Sequence, residues 1–270
     1  MDIEKIYSQI KKNIKNFGKS PIEDVGKILT FVQSFEEVRE TEVMLLVQKV
    51  YLRLYQEIKK GDLNQARQSW VNASGNNFEG FIREFINKEL NDVGIVAIKG
   101  DELKHLIPKN KNLKGLVEFI TLPARRRCIQ ENTGVWPDSD ILMLTKNKDN
   151  QWKVFALLNC KTSDHSRNTA VMFWALALRD LGIKYALMTQ DLDNRFTKGH
   201  ESPSTLRRLS EAYLDAVFST NPRTIGCSQI KRLDFTNLEG AKTLTDTLKA
   251  WRESVVTDHL NNYLDKSSLT

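Results

Sequence analysis

The apolar positions of this chain keep a helical period for about the first 90 residues and then lose it. Ile3, Ile6, Ile10 and Ile14 recur three or four residues apart, the spacing that lines one helix face, and Gly18 with Pro21 breaks the run. A second helix is expected over 22–35. Val43, Val47, Val50, Leu54 and Ile58 trace one stripe of a longer helix that ends near Gly61. Phe78, Phe81, Ile82, Phe85 and Ile86 mark another, ending around Leu90, and read as core.

From Val93 the texture becomes short apolar runs punctuated by Gly and Pro: VGIVAI, LVEFI, TLPARRRC. Two runs, 141–144 and 154–158, flank the polar hexapeptide KNKDNQ, and the whole reads as a β-hairpin. Ala170, Val171, Trp174, Ala177, Leu178 and Leu181 form the stripe of a helix stopping at Gly182, with a strand over 184–189 after it. Strand, helix and strand with short connections imply a parallel pair beside the hairpin. Further on, a helix is expected over 204–218, then loop and strand through NPRTIGCSQIKRLDF, and a last helix over 238–264. No low-complexity linker divides the chain. The expectation is an α/β (α+β) protein in which a helical N-terminal subdomain, 1–92, packs on a core of mixed sheet and helices, 93–270.

The ends of the hairpin carry the chemistry. Asp138 and Asp140 open its first strand and Asn159 and Lys161 close the second. Side chains alternate along a strand, so each pair shares a face, and pairing brings both to one sheet edge. A carboxylate holds a hard cation such as Mg²⁺, and a nearby lysine orients water and balances charge on a phosphate. That set suits phosphodiester hydrolysis.

Pro137-Asp138, followed after the hairpin by Asn159-Cys160-Lys161, resembles the PD-(D/E)XK nuclease motif, and Thr162, Ser163 and Arg167 before a helix resemble type II restriction endonucleases in particular. The likeness runs from Arg125 to Asp191. The chain departs from it at Asn159, where the family has an acid. The resemblance implies a Mg²⁺-dependent, sequence-specific endonuclease for double-stranded DNA, working as a homodimer alongside a cognate methyltransferase. It also implies Asp138 as first metal ligand, Asp140 as reserve, Asn159 as a weaker oxygen ligand, and Lys161 as the charge-stabilising group. In such nucleases a helix glutamate sometimes joins the metal. Of Glu79, Glu84 and Glu89, read here as a solvated face, Glu84 is the alternative to Asn159. A structure-specific repair or recombination nuclease, and a DNA-binding module with a degenerate core, remain as alternative readings.

Charge fits a polyanionic partner: net +6, with a pI near 9.1. Arg125, Arg126 and Arg127 precede the hairpin, and Ser163, His165 and Arg167 surround the start of the following helix, where a phosphate docks readily. All six are expected to contact DNA. Three scattered cysteines, Cys128, Cys160 and Cys227, suit no zinc site and point to a reduced, intracellular setting; the resemblance implies the cytoplasm of a bacterial or archaeal cell. No apolar run reaches the length of a membrane span.

Overall fold

The computed structural model describes residues 3–35, 40–106, 114–126, 131–162, 168–199, 201–235 and 238–257. Four helices come first: α1 (Ile3–Asn13), α2 (Pro21–Gln33), α3 (Glu40–Lys59) and α4 (Leu63–Leu90). The expected apolar stripes bury: Ile6, Ile10, Val25, Ile28, Val47, Val50 and Leu54 form one core with Trp70 and Ala73 of α4. Asp62 caps α4 by accepting the Gln65 N–H at 2.7 Å. That helix begins well before its apolar stripe, because Gly75, Gly80 and the asparagines between hide its first half from a pattern reading. Ile58 and Phe81, read as core, are 39% and 48% exposed; Phe81 lies edge-on to Phe235.

The remaining elements are β1 (Val96–Lys99), α5 (Glu102–Leu106), α6 (Lys114–Ile120), β2 (Leu122–Arg126), β3 (Glu131–Val135), β4 (Ile141–Lys146), β5 (Trp152–Lys161), α7 (Asn168–Arg179), β6 (Lys184–Thr189), α8 (Thr205–Tyr213), β7 (Ala216–Ser219), β8 (Ile230–Arg232) and α9 (Leu238–Thr257). The main sheet runs β1-β4-β5-β6-β7-β8, antiparallel across its first three strands and parallel from β5 onward. The hairpin is present as read, with Asn147 closing its turn by accepting the N–H groups of Asp149 and Gln151. The run LVEFI falls in the helix α6, and LPARR pairs with β3 in a separate two-stranded sheet.

One face of the main sheet packs against α6, α7 and α8 through Leu142, Leu157, Val171, Trp174, Leu178 and Leu206. The other packs against the second half of α4 and α9 through Ile82, Ile86, Ile141, Leu158, Leu244 and Leu248. This is a mixed sheet flanked by helices, as expected. The helix expected over 204–218 ends at Tyr213, and Ala216–Ser219 is instead a fully buried strand paired with β6. The run Ala-Val-Phe-Ser fits a central parallel strand, and the sheet overrides any tendency to continue the helix. The last helix is described only as far as Thr257.

Candidate active site

The strand β5 delivers Asn159, Cys160 and Lys161 to the sheet's edge. Its partner β4 starts only at Ile141, so Asp138, Ser139 and Asp140 form a lead-in rather than the strand opening expected. Backbone bonds fasten that lead-in: Gly100 N–H donates to Asp140 O at 2.8 Å, and Asp140 N–H to Leu158 O at 3.2 Å. At Gly100 only a hydrogen fits, since a Cβ there would fall 1.8 Å from the Ser139 carbonyl oxygen. Gly100→Ala must push the lead-in away. We expect it to cost about 1–3 kcal/mol, as overpacking does, and to lower DNA cleavage with it. Unchanged melting and unchanged cleavage would show that the contact is not needed.

The carboxylates of the lead-in part company. Asp140 Oδ2 accepts the Cys160 N–H at 2.6 Å and lies 3.5 Å from Lys161 Nζ, an ion pair about three-quarters buried on both sides. Burial raises the Asp140 pKa, while the Lys161 charge and the Cys160 N–H pull against it. Asp138 instead exposes its side chain and is held by its backbone, the carbonyl accepting Tyr185 Oη–H at 2.8 Å and Asn159 Nδ2–H at 3.3 Å. Burial, with the charges of Asp138 and Asp140, pushes the Tyr185 phenol far up, so it stays a donor. Asn159 is wholly buried, and among the described residues its Oδ1 has no hydrogen-bond partner. The expectation that Asp138 and Asp140 present one carboxylate face therefore gives way to a division. Asp140 meets Lys161, whereas Asp138 contributes a pinned carbonyl.

The helix α4 adds a group. Glu79, expected on a solvated face, is only 9% exposed; burial raises its pKa, with the Asp140 charge next, while Lys99 and Arg83 oppose the rise. Glu84 is exposed. The sequence did hold the signal. At about 100° per residue Glu79 falls beside Ile82 and Ile86 on the helix, and Glu84 on the opposite side. The buried Cys160 has its thiol raised by burial and then by the charges of Asp140 and Glu79.

Among the DNA-contact candidates, Arg125 and Arg126 lie on β2, opposite Asn132 and Glu131. Arg127, Ser163, His165 and Arg167 lie outside the described residues.

A family model described as BsaWI restriction endonuclease type 2 matches residues 92–237, more than half of the chain. The chain belongs to this family. The MjaVIP protein of Methanocaldococcus jannaschii, assigned by inference as a type II restriction enzyme, is 28% identical over 207 residues, or 73% of this chain and 83% of that one. The restriction endonuclease AgeI, solved in a specific complex with DNA, shares the fold with a TM-score of 0.58 at 20% identity over 92% of each chain. The BsaWI–DNA complex aligns over 94% of each chain at 15% identity with a TM-score of 0.46. The resemblance carried by Pro137-Asp138 and Asn159-Cys160-Lys161 is thus borne out, and so is its functional expectation. This BsaWI-family chain is a type II, sequence-specific DNA endonuclease. Among its described residues no helix is long and apolar enough to cross a membrane.

Proposed function

We propose that this restriction endonuclease cuts double-stranded DNA with Mg²⁺ held by Asp140 and Glu79, and with Lys161 as the cation facing the scissile phosphate. The observation that carries the reading is Glu79. Its buried carboxylate makes no hydrogen bond or ion pair among the described residues, yet it lies within reach of the Asp140 charge. A buried carboxylate whose pKa is raised by burial and then by the charge of a second one leaves a place for a cation. Among the described residues no three His, Cys, Asp or Glu side chains cluster for a metal, but Mg²⁺ keeps several waters and needs few protein oxygens.

When bound, Mg²⁺ neutralises phosphate charge and makes water a better nucleophile. The chain's own residues do the rest. Asp140 is oriented by the Cys160 N–H and anchors the Lys161 ammonium, which then faces the phosphate as charge builds on its oxygens. Asn159 and Tyr185 act at one remove, holding the Asp138 carbonyl and with it the lead-in. Asn159 is therefore a positioning residue in this reading rather than the oxygen ligand the motif suggested. Cutting both strands of a palindrome calls for a two-fold pair of sites, so the working form is a homodimer on DNA. Plasmid digestion with Mg²⁺ tests the whole: discrete bands that vanish with chelator are expected. A smear, or cutting indifferent to chelator, would refute the reading.

The buried acids also set a pH dependence. Asp140 and Glu79 titrate above their ordinary values of 3.8 and 4.5. The metal-free folded chain thus binds those protons more tightly than the unfolded chain. Stability from these groups is present at low pH and is lost as pH rises through their folded values. Glu79→Gln removes one such burden. The metal-free variant should melt higher at pH 8 than wild type, by roughly 2–4 °C for each kcal/mol regained, and its melting should vary less with pH. Cleavage should fall by orders of magnitude, while Glu84→Gln cleaves normally. An active Glu79→Gln enzyme would remove Glu79 from the site.

A further inference from the structure

We propose that the loops after β6 and β7, 190–199 and 220–229, form a clamp for the DNA phosphate backbone beside the catalytic lysine. The proposal rests on the reading of Lys161 given above.

Sheet register puts the loops there. Lys161 stands level with Thr189 in the parallel pair, and Thr189 with Ser219. The first loop is bonded to the end of the catalytic strand itself: Gln190 N–H donates to Lys161 O at 3.0 Å and Leu192 N–H to Thr162 O at 3.3 Å.

The two loops are built as one rigid piece. Asp191 and Asn194 both hold left-handed backbone, at φ +47° and +56°. The buried Asp191 carboxylate accepts the N–H groups of Arg195 at 2.6 Å and Phe196 at 3.1 Å. Asn221 Nδ2 crosses from the second loop to Asp191 O at 2.9 Å and Asn194 Oδ1 at 3.0 Å. Beneath them Arg207, with no exposed surface, donates from Nη1 to the carbonyls of Phe196 and Lys198 in one loop and Ile225 in the other. Backbone held in sparsely populated conformations and tied by buried polar bonds marks a surface kept in one shape.

What this frame presents is cationic. Arg195, Lys198 and Arg223 are all exposed, and among the described residues none is in an ion pair. Arg223 is aimed as well as exposed, since its Nη2 donates to Asn194 Oδ1 at 2.6 Å. Guanidinium and ammonium groups outside any ion pair, mounted on a braced backbone next to a phosphodiester-cutting lysine, suit the phosphates on either side of the scissile bond.

The test is duplex affinity of the full chain without divalent metal, followed against salt, for Arg195→Ala, Lys198→Ala and Arg223→Ala. One duplex carries the sequence at which the wild-type enzyme cuts plasmid, and one lacks it. Each variant should weaken both duplexes several-fold, and each lost phosphate contact should reduce the slope of log affinity against log salt by about 0.9. Arg223→Lys should restore the slope, which a merely structural role for Arg223 would not allow. Unchanged affinity and slope in all three alanine variants overturns the clamp, and so does a loss confined to the cognate duplex, which would assign these residues to base edges. If wild type cuts plasmid at discrete sites while the variants bind as it does, the clamp fails and the active-site reading stands.

Discussion

Asp140→Asn and Lys161→Ala should each slow duplex cleavage by about 10³-fold or more, the scale on which a charge-stabilising group in a water-poor site contributes. The two changes act on one ion pair, so the double variant should be scarcely worse than either single one. Asp140→Asn is the cleaner of the two. A carboxamide oxygen can still accept the Cys160 N–H, and the lead-in should stay in place while the negative charge is lost. Asp138→Asn discriminates between the two acids. The Asp138 side chain is exposed and its carbonyl does the holding, so that variant should keep activity within about tenfold of wild type, a surface charge being largely screened. Single-turnover cleavage at saturating Mg²⁺ decides. Collapse in Asp138→Asn with activity retained in Asp140→Asn would reverse the assignment and return the site to the one the Pro-Asp motif suggests.

The largest loss of stability is expected at Arg207. Its guanidinium is fully buried, pairs through Nε with Glu211 at 2.8 Å, and satisfies three loop carbonyls. Arg207→Ala leaves those acceptors without a donor and Glu211 without its cation. Breaking a buried pair from one side costs about 3–5 kcal/mol, which for a chain of this length lowers Tm by roughly 10 °C. Arg207→Lys should recover little, because one ammonium cannot span positions that a planar fork bridges. Melting within 2 °C of wild type, on the scale of roughly 1 kcal/mol or less, would mean the loops are held by other bonds.

Much of this fold could be read from the chain, and the failures have physical reasons. The hairpin was legible because two apolar runs and the polar, Asn-rich turn between them agree over 141–158. The parallel strand over 184–189 followed from a clear helix stripe and a Gly182 stop. Strand β7 was not legible. Four residues after a helix carry no period of their own, and only a place in the middle of the sheet makes them a strand. The site was half legible. Lys161 and an adjacent acid were evident from spacing, but which aspartate meets the lysine depends on where β4 begins, beside a lead-in that Gly100 approaches from the turn after β1. Glu79 was missed for a different reason. Helical projection separates it from Glu84, but an acid flanking an apolar stripe reads as solvated until the sheet packs against it. The arginine residues expected to touch DNA around 125–127 and 163–167 stay as proposals, with their side chains outside the described structure.

The helix α4 has a consequence for how the enzyme can be taken apart. Its 28 residues make one rod about 42 Å long at 1.5 Å per residue. Trp70 and Ala73 near one end are sunk in the helical bundle, while Phe78, Ile82 and Ile86 lie on the main sheet. Glu79 sits just past the crossing point. Any tilt of the bundle is therefore carried by a stiff lever to the carboxylate proposed to hold the metal, with no loop between to absorb it. A shortened enzyme that keeps only the matched segment, 92–237, would lose that lever and the acid mounted on it together. The same geometry gives a remote handle: a ligand or substitution that shifts the bundle around Trp70 would change the catalytic rate without touching DNA, metal or the lysine.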